Sequence, residues 1–266
     1  MIAVELETVR LETEGAVTRM VLNRPQALNA WTEQLGLDMF EALDRIALDE
    51  ETRAVVITGE GRAFSSGADL KAGGDFAQDG KPDVLTRLRT VYNPVIMSIR
   101  TLPKPVVAAV NGPAVGIGCS LALACDLIVA GESAYFLLAF VNIGLGLDGG
   151  ASATLPMRVG HARAAEIALL GERIRAPQAL DWGLINRVVA DAELDASAGE
   201  LAERLAAGPP GSYVSIKRTL NEQLYPNFDE LLELEAVLQQ QRGESSDFME
   251  GVLSFIQKRP PKFTGN

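Results

Sequence analysis

The sequence predicts an α/β fold in which strand and helix units form a core and a helical region closes the chain. Three observations carry that prediction. The runs AVVIT at residues 54–58 and VVAAV at residues 106–110 are continuously apolar, as strands covered on both faces are. Helical periodicity recurs between and after these runs. Beyond about residue 149 that periodicity dominates, so the first half is β-rich and the second α-rich.

The elements follow in order. The first fifteen residues, MIAVELETVRLETEG, are acidic and strand-like, and residues 9–22 alternate about Glu14-Gly15 as a hairpin does. The chain turns at NRPQALNA, where Asn29 or Thr32 is placed to cap a helix reaching about Leu48. Leu35, Met39, Leu43 and Ile46 give that helix its core-facing stripe. After the strand at 54–58 comes GEGRAFSSGADLKAGGDFAQDGKPD, a connection long enough to suggest function. Residues 84–102 have helical spacing that Pro94 must kink or interrupt.

The strand at 106–110 runs into a turn at 111–118 with three glycines and a proline, and then into an apolar helix at 117–125. Glycine lets this backbone approach a ligand closely, and the helix start offers unpaired N–H groups and a positive dipole end. Such a start can hold an oxyanion. Residues 127–130 read as a buried strand, and 136–146 show no clear period. Helices are expected at 149–159, 162–170, 177–182, 193–206, 212–224, 228–241 and 246–257.

With 266 residues, 47% of them hydrophobic, the chain can build one large core. A net charge of −11 argues against a nucleic-acid or anionic-membrane partner. The N-terminus lacks a basic, then apolar, leader pattern and no segment has bilayer-spanning length, so a cytoplasmic protein is expected. Cys119 and Cys125 share one apolar helix and read as reduced core residues. His161 is the sole histidine and reads as structural, so no metal site is expected. Between Glu132 and Glu166 the one acidic residue is Asp148. An aspartate there can cap the helix that follows, or it can do chemistry.

Four motifs in register, RPQALNA, GRAFSSGADL, KPVVAAVNGPAVGIGCSLALACD and GLGLDGG, resemble the enoyl-CoA hydratase/isomerase (crotonase) family over about residues 9–263. The resemblance implies a crotonase-like superhelix of ββα units, with residues 1–205 as the core for acyl-CoA binding and catalysis. It implies that residues 206–266 serve oligomerisation, as a homotrimer or hexamer. Coenzyme A would be part of the thioester substrate, with no separate cofactor. By similarity the N–H groups of Ala68 and Ile117 form an oxyanion hole, with Gly116 the neighbour should the register slip.

The two glutamates of the family's hydratases fall on Ser120 and Phe140, and neither can serve as their acid and base. FVNIGLGLDGG and the tail PPKF instead resemble the branch of the phenylacetate-pathway ring-1,2-epoxyphenylacetyl-CoA isomerase, whose catalytic carboxylate matches Asp148. That implies an isomerase that shifts a proton on an enoyl-CoA through a stabilised enolate, with Asp148 as acid and base. The alternatives are a 2-enoyl-CoA hydratase, a 4-chlorobenzoyl-CoA dehalogenase-like enzyme and a catalytically silent acyl-CoA-binding protein. The dehalogenase pairs its aspartate with a histidine and a tryptophan, whereas His161, Trp31 and Trp182 lie outside the matching segment. Arg24, Ala27, Ser66, Asp69 and Leu70 match positions near the CoA, Asp69 being also suited to bracing its loop. Lys262 and Phe263 match residues that reach CoA, and a solvated tail is the other reading. Phe136, Leu138 and Phe140, with the loop at 71–83, are expected to shape the acyl pocket.

Overall fold

A computed structural model of the chain describes residues 2–70 and 82–266. The N-terminal hairpin forms as its alternation predicts, from β1 (Ile2–Glu5), β2 (Val9–Glu14) and β3 (Val17–Leu22), all antiparallel. Helix α1 (Glu33–Leu48) follows, capped by the Thr32 hydroxyl on the Leu35 N–H. Asn29 is no cap. Its buried side chain instead accepts from the Arg24 N–H and donates to the Glu60 and Ala63 carbonyls, tying the turn after β3 to the next strand.

Strands β4 (Ala54–Gly59) and β5 (Val106–Val110) are wholly buried. Between them α2 (Val84–Arg87) passes into α3 (Asn93–Thr101) through a π-helical turn at Leu88–Tyr92. Pro94 has no N–H to give the preceding turn, and the chain absorbs the loss there by widening rather than breaking. The glycine turn after β5 hides a short strand, β6 (Pro113–Val115), before α4 (Ile117–Ala124) and β7 (Leu127–Gly131). The stretch without a clear period resolves into β8 (Tyr135–Leu137) and a 3-10 turn at Ala139–Ile143. Helix α5 (Ala151–Leu170) is split at Gly160, whose φ of 75° and ψ of 165° are non-helical, between the two helices expected there.

The remaining elements are β9 (Ile174–Arg175), α6 (Ala176–Asp181), β10 (Arg187–Val189), α7 (Leu194–Ala206), α8 (Pro210–Leu224), α9 (Phe228–Gly243) and α10 (Ser246–Gln257). The main sheet runs β1-β2-β3-β4-β5-β7-β10 and is parallel from β3 onward. Its middle strands explain their unbroken apolar runs by pointing alternate residues into two layers. Ala54, Val56, Val107 and Ala109 meet Leu194, Ala198 and Leu201 of α7, while Val55, Ile57, Ala108 and Val110 join the cluster that holds α1 and α3. A second sheet, β6-β8-β9, stands beside the first and carries the turns that enter the site.

The C-terminal helices are docked by polar groups as well as by packing. From α8, the buried Lys217 ammonium donates to the Ile99 and Lys104 carbonyls and pairs with Asp126 at 2.8 Å. Helix α9 packs on α2, α5 and the π-helical turn, and α10 on the 3-10 turn at Ala139–Ile143. Among the described residues no helix is long and apolar enough to cross a membrane.

Candidate active site

Two backbone loops meet at the start of α4. Ser65 pairs with Ala114 in a parallel bridge, its N–H on the Pro113 carbonyl and its carbonyl on the Val115 N–H. This bridge holds Gly67-Ala68 alongside Gly116-Ile117. Gly67, with φ of 88°, lies so near that a Cβ there would stand 2.8 Å from the Val115 carbonyl oxygen. A Cβ on Gly118 would stand 2.7 Å from Ser65. The glycines of both turns are therefore what allows the loops to touch.

Ala68 is bridged to Trp31 through its neighbours: Trp31 donates to the Gly67 carbonyl and the Asp69 N–H donates to Trp31. That pattern turns the Ala68 N–H away from Trp31. Among the described residues, neither it nor the Ile117 N–H meets an acceptor within the protein. Gly116 has φ of 53° and donates to the Leu137 carbonyl, which fixes the approach to α4 and rules Gly116 out as the free donor. The N–H without an acceptor at this turn, among the described residues, is that of Ile117.

Asp148 comes to the same place from the other side. The next residue, Gly149 with φ of 62°, packs so tightly that a Cβ would lie 2.6 Å from Ile117 Cδ1 and 2.8 Å from Ser120 Cβ. The Ser120 hydroxyl donates to the Asp148 backbone carbonyl at 2.9 Å, so this serine holds the loop. The Phe140 ring is buried and would be 3.8 Å from a Cβ on Gly116. The Ser120 hydroxyl is thus engaged on backbone, and the Phe140 side chain has no ionisable group.

Asp148 does not cap α5, although its sequence position suited that role. The cap comes from α9: Glu235 accepts the Gly150 N–H at 2.7 Å and the Ser152 N–H at 2.9 Å. Four residues on, Gln239 donates through Nε2 to Asp148 Oδ2 at 3.1 Å. Asp148 is 6% exposed, and among the described residues its Oδ1 has no hydrogen-bond partner. Burial drives the Asp148 carboxyl well above the usual carboxylate range, the nearby Glu235 charge adds to the rise, and the Gln239 N–H opposes it. Burial also raises Glu235, against the pull of its Ser152 and Gly150 N–H donors.

Glu235 and Gln239 escape a reading of the sequence, since the acid that stands alone in sequence has a second carboxyl beside it in space. Their signal is nonetheless present: along α9 the buried residues are Phe228, Leu232, Glu235, Ala236, Gln239 and Gly243, so two polar side chains occupy the apolar stripe.

The family model for enoyl-CoA hydratase/isomerase matches residues 12–266. The chain belongs to this family. It is 42% identical to a probable enoyl-CoA hydratase of Rhodobacter capsulatus, over 97% of this chain and 98% of that one. It is 38% identical to the 1,2-epoxyphenylacetyl-CoA isomerase of Escherichia coli, over 98% and 99%. The crystal structure of an enoyl-CoA hydratase from Mycobacterium avium subsp. paratuberculosis superposes with a TM-score of 0.87 at 37% identity, covering 98% of this chain and all of that one. The expected crotonase fold is thereby confirmed, in a family that acts on acyl-CoA thioesters.

Within this family member the remaining predicted positions divide. Ser66 and Ala27 line the same turn, with the Ser66 N–H on the Leu28 carbonyl, and Leu70 closes the described part of the loop by donating to the Ala68 carbonyl. Arg24 and Asp69 pair with each other at 3.2 Å, and Arg24 also donates to the Ala30 carbonyl, so this pair braces the loop that carries Ala68. Lys262 and Phe263 lie on an exposed tail folded against α10, where Glu250 accepts the Lys262 N–H and Asp247 those of Thr264 and Gly265. Phe136 and Leu138 are buried beside Phe140, while most of the loop expected to complete the pocket, residues 71–81, lies outside the described residues. Both cysteine thiols are pushed by burial up to about 12 and take no part.

Proposed function

We propose that this protein is an isomerase that moves a double bond in an enoyl-CoA thioester, with Asp148 as its one acid and base. The observation that carries this reading is the single carboxyl oxygen, Asp148 Oδ1, left without a partner among the described residues, beside the paired turns of Ala68 and Ile117. The nearby Glu235 carboxylate has both oxygens on the N–H groups of α5. Hydration by paired acids finds no second member at the family's glutamate positions, because Ser120 serves the Asp148 carbonyl and Phe140 has no proton to give.

In the proposed step, Oδ1 takes a proton from C2 of a 3-enoyl thioester. The C2–H electron pair becomes part of a dienolate, and the negative charge on the thioester oxygen is met by the Ala68 and Ile117 N–H groups. Each such donor is worth about 3 kcal/mol in the transition state. Oδ1 then returns the proton to C4, leaving the 2-enoyl thioester with no atom gained or lost. Raised proton affinity suits this role, making Asp148 a stronger base when ionised.

The substrate carries CoA itself, and the chemistry calls for no further cofactor. The isomerase relative supports an apolar, aromatic acyl group as one candidate. The chain's acidity fits a cytoplasmic enzyme, and the exposed apolar side chains of α8, α9 and α10, among them Ile216, Leu234, Leu253 and Phe255, suit a homotrimer or hexamer. The test is to supply 3-hexenoyl-CoA and 2-hexenoyl-CoA in parallel and follow absorbance and mass. Conversion of the first to a product of equal mass supports the isomerase; a water adduct of the second would overturn it.

A further inference from the structure

The carboxyl group assigned to the chemistry is held by a residue ninety-one positions away. Gln239 is fully buried and its amide makes two bonds to one loop: Oε1 accepts the Gly146 N–H at 3.1 Å and Nε2 donates to Asp148 Oδ2 at 3.1 Å. A backbone N–H can only donate, so Gly146 fixes which way the amide faces and puts the NH2 group on Asp148. Two oxygens of one carboxyl are thereby made unequal. Oδ2 is occupied, and Oδ1 is buried with no partner among the described residues.

We propose that Gln239 is a positioning residue that dedicates Asp148 Oδ1 to moving the substrate proton, by holding Oδ2 and the Gly146 N–H at once. The proposal rests on the reading of Asp148 as the acid and base. When Asp148 is neutral, an Oδ2 that accepts from Gln239 leaves the proton on Oδ1, the oxygen free to deliver it. When Asp148 is ionised, the same N–H bond keeps Oδ2 from competing for the substrate proton and favours the charged form. Among the described residues the charged group acting on Asp148 is Glu235, one turn earlier on α9; α4, the 3-10 turn at Ala139–Ile143 and the first turn of α5 present only uncharged residues to the site. Helix α9 therefore supplies both influences, a negative charge that opposes ionisation and an amide that favours it.

The experiment uses the full chain, labelled with carbon-13 at the aspartate carboxyl carbon, and follows Asp148 by NMR as pH is varied. The Asp148 signal is identified by its loss in Asp148→Asn. Gln239→Met keeps side-chain volume and removes both bonds; Gln239→Glu keeps an acceptor for Gly146 and removes the donor. In both, the Asp148 midpoint is expected at higher pH than in the parent. With 3-hexenoyl-CoA, the rising limb of kcat against pH should move the same way, with kcat near pH 7 falling about tenfold and KM changing by less than about twofold. A merely structural amide would lower stability in Gln239→Met without moving either midpoint; Gln239→Glu would move the Asp148 midpoint upward in any case, because its added carboxyl acts on Asp148 as Glu235 does. Unmoved midpoints in Gln239→Met, or in Gln239→Glu, would overturn the proposal. Moved midpoints without turnover of any 3-enoyl thioester would uphold the positioning role and count instead against the isomerase.

Discussion

Replacing Asp148 by asparagine should change how stability depends on pH, in a direction fixed by burial. The carboxyl is 6% exposed, has Glu235 for a neighbour and titrates well above its usual 3.8. In the unfolded chain it ionises near that usual value. Between the two, the native state binds a proton that the unfolded state has released, so stability is full below the ordinary carboxylate value and is lost as pH rises toward the raised one. Each pH unit inside that window costs the parent about 1.4 kcal/mol through this group. An asparagine at this position has no proton to lose, and its amide oxygen can still accept from Gln239. The other amide end stands where Oδ1 stands in the parent, which also has no partner among the described residues, so at low pH the two proteins differ little. The variant should therefore lie close to the parent near pH 4 and gain on it with each step upward. Urea unfolding of both proteins at pH 4, 5, 6 and 7 measures the difference. Parallel stability curves would refute the reasoning, because they would mean that Asp148 ionises alike in both states.

Further outcomes follow from the same geometry. Glu235→Gln removes the negative charge beside Asp148 while keeping an acceptor for one α5 N–H, so Asp148 should ionise more readily and the rising limb of kcat should move to lower pH, read from a pH–rate profile. Gly67→Ala places a Cβ 2.8 Å from the Val115 carbonyl oxygen at a φ of 88°, and should cost at least about 1–2 kcal/mol in urea unfolding and lower kcat by parting the two loops. Lys217→Met leaves Asp126 and two carbonyls without their ammonium partner, and should destabilise the chain by about 2 kcal/mol with little effect on KM.

Much of the fold is legible in the sequence because its elements advertise themselves locally. The runs at β4 and β5 are apolar throughout because alternate residues feed two packed layers, and that pattern does not depend on knowing the layers. The limits of α10 are legible from Ser245, whose hydroxyl accepts the Phe248 N–H, and Gly160 marks the break within α5. The short strands β6, β8, β9 and β10 are not, since two or three residues become strands through partners distant in sequence. Asn29 carries cap chemistry, yet its side chain is spent on Glu60 and Ala63, contacts that only the tertiary fold creates. The glycine turns and the lone acid point to Ala68, Ile117 and Asp148 from residue order and family resemblance alone. What sequence order conceals is that α9 returns to the site, so that Glu235 takes the helix cap suited to Asp148 and Gln239 takes one of its oxygens.

The most direct test of Asp148 as the one acid and base is the rate of 3-hexenoyl-CoA isomerisation by Asp148→Asn, beside the parent and with thioester binding measured by calorimetry. A loss of at least about a hundredfold in kcat with the dissociation constant changed by less than about threefold is the predicted result. Turnover retained at near the parental rate would contradict it, and would move the proton transfer to another group.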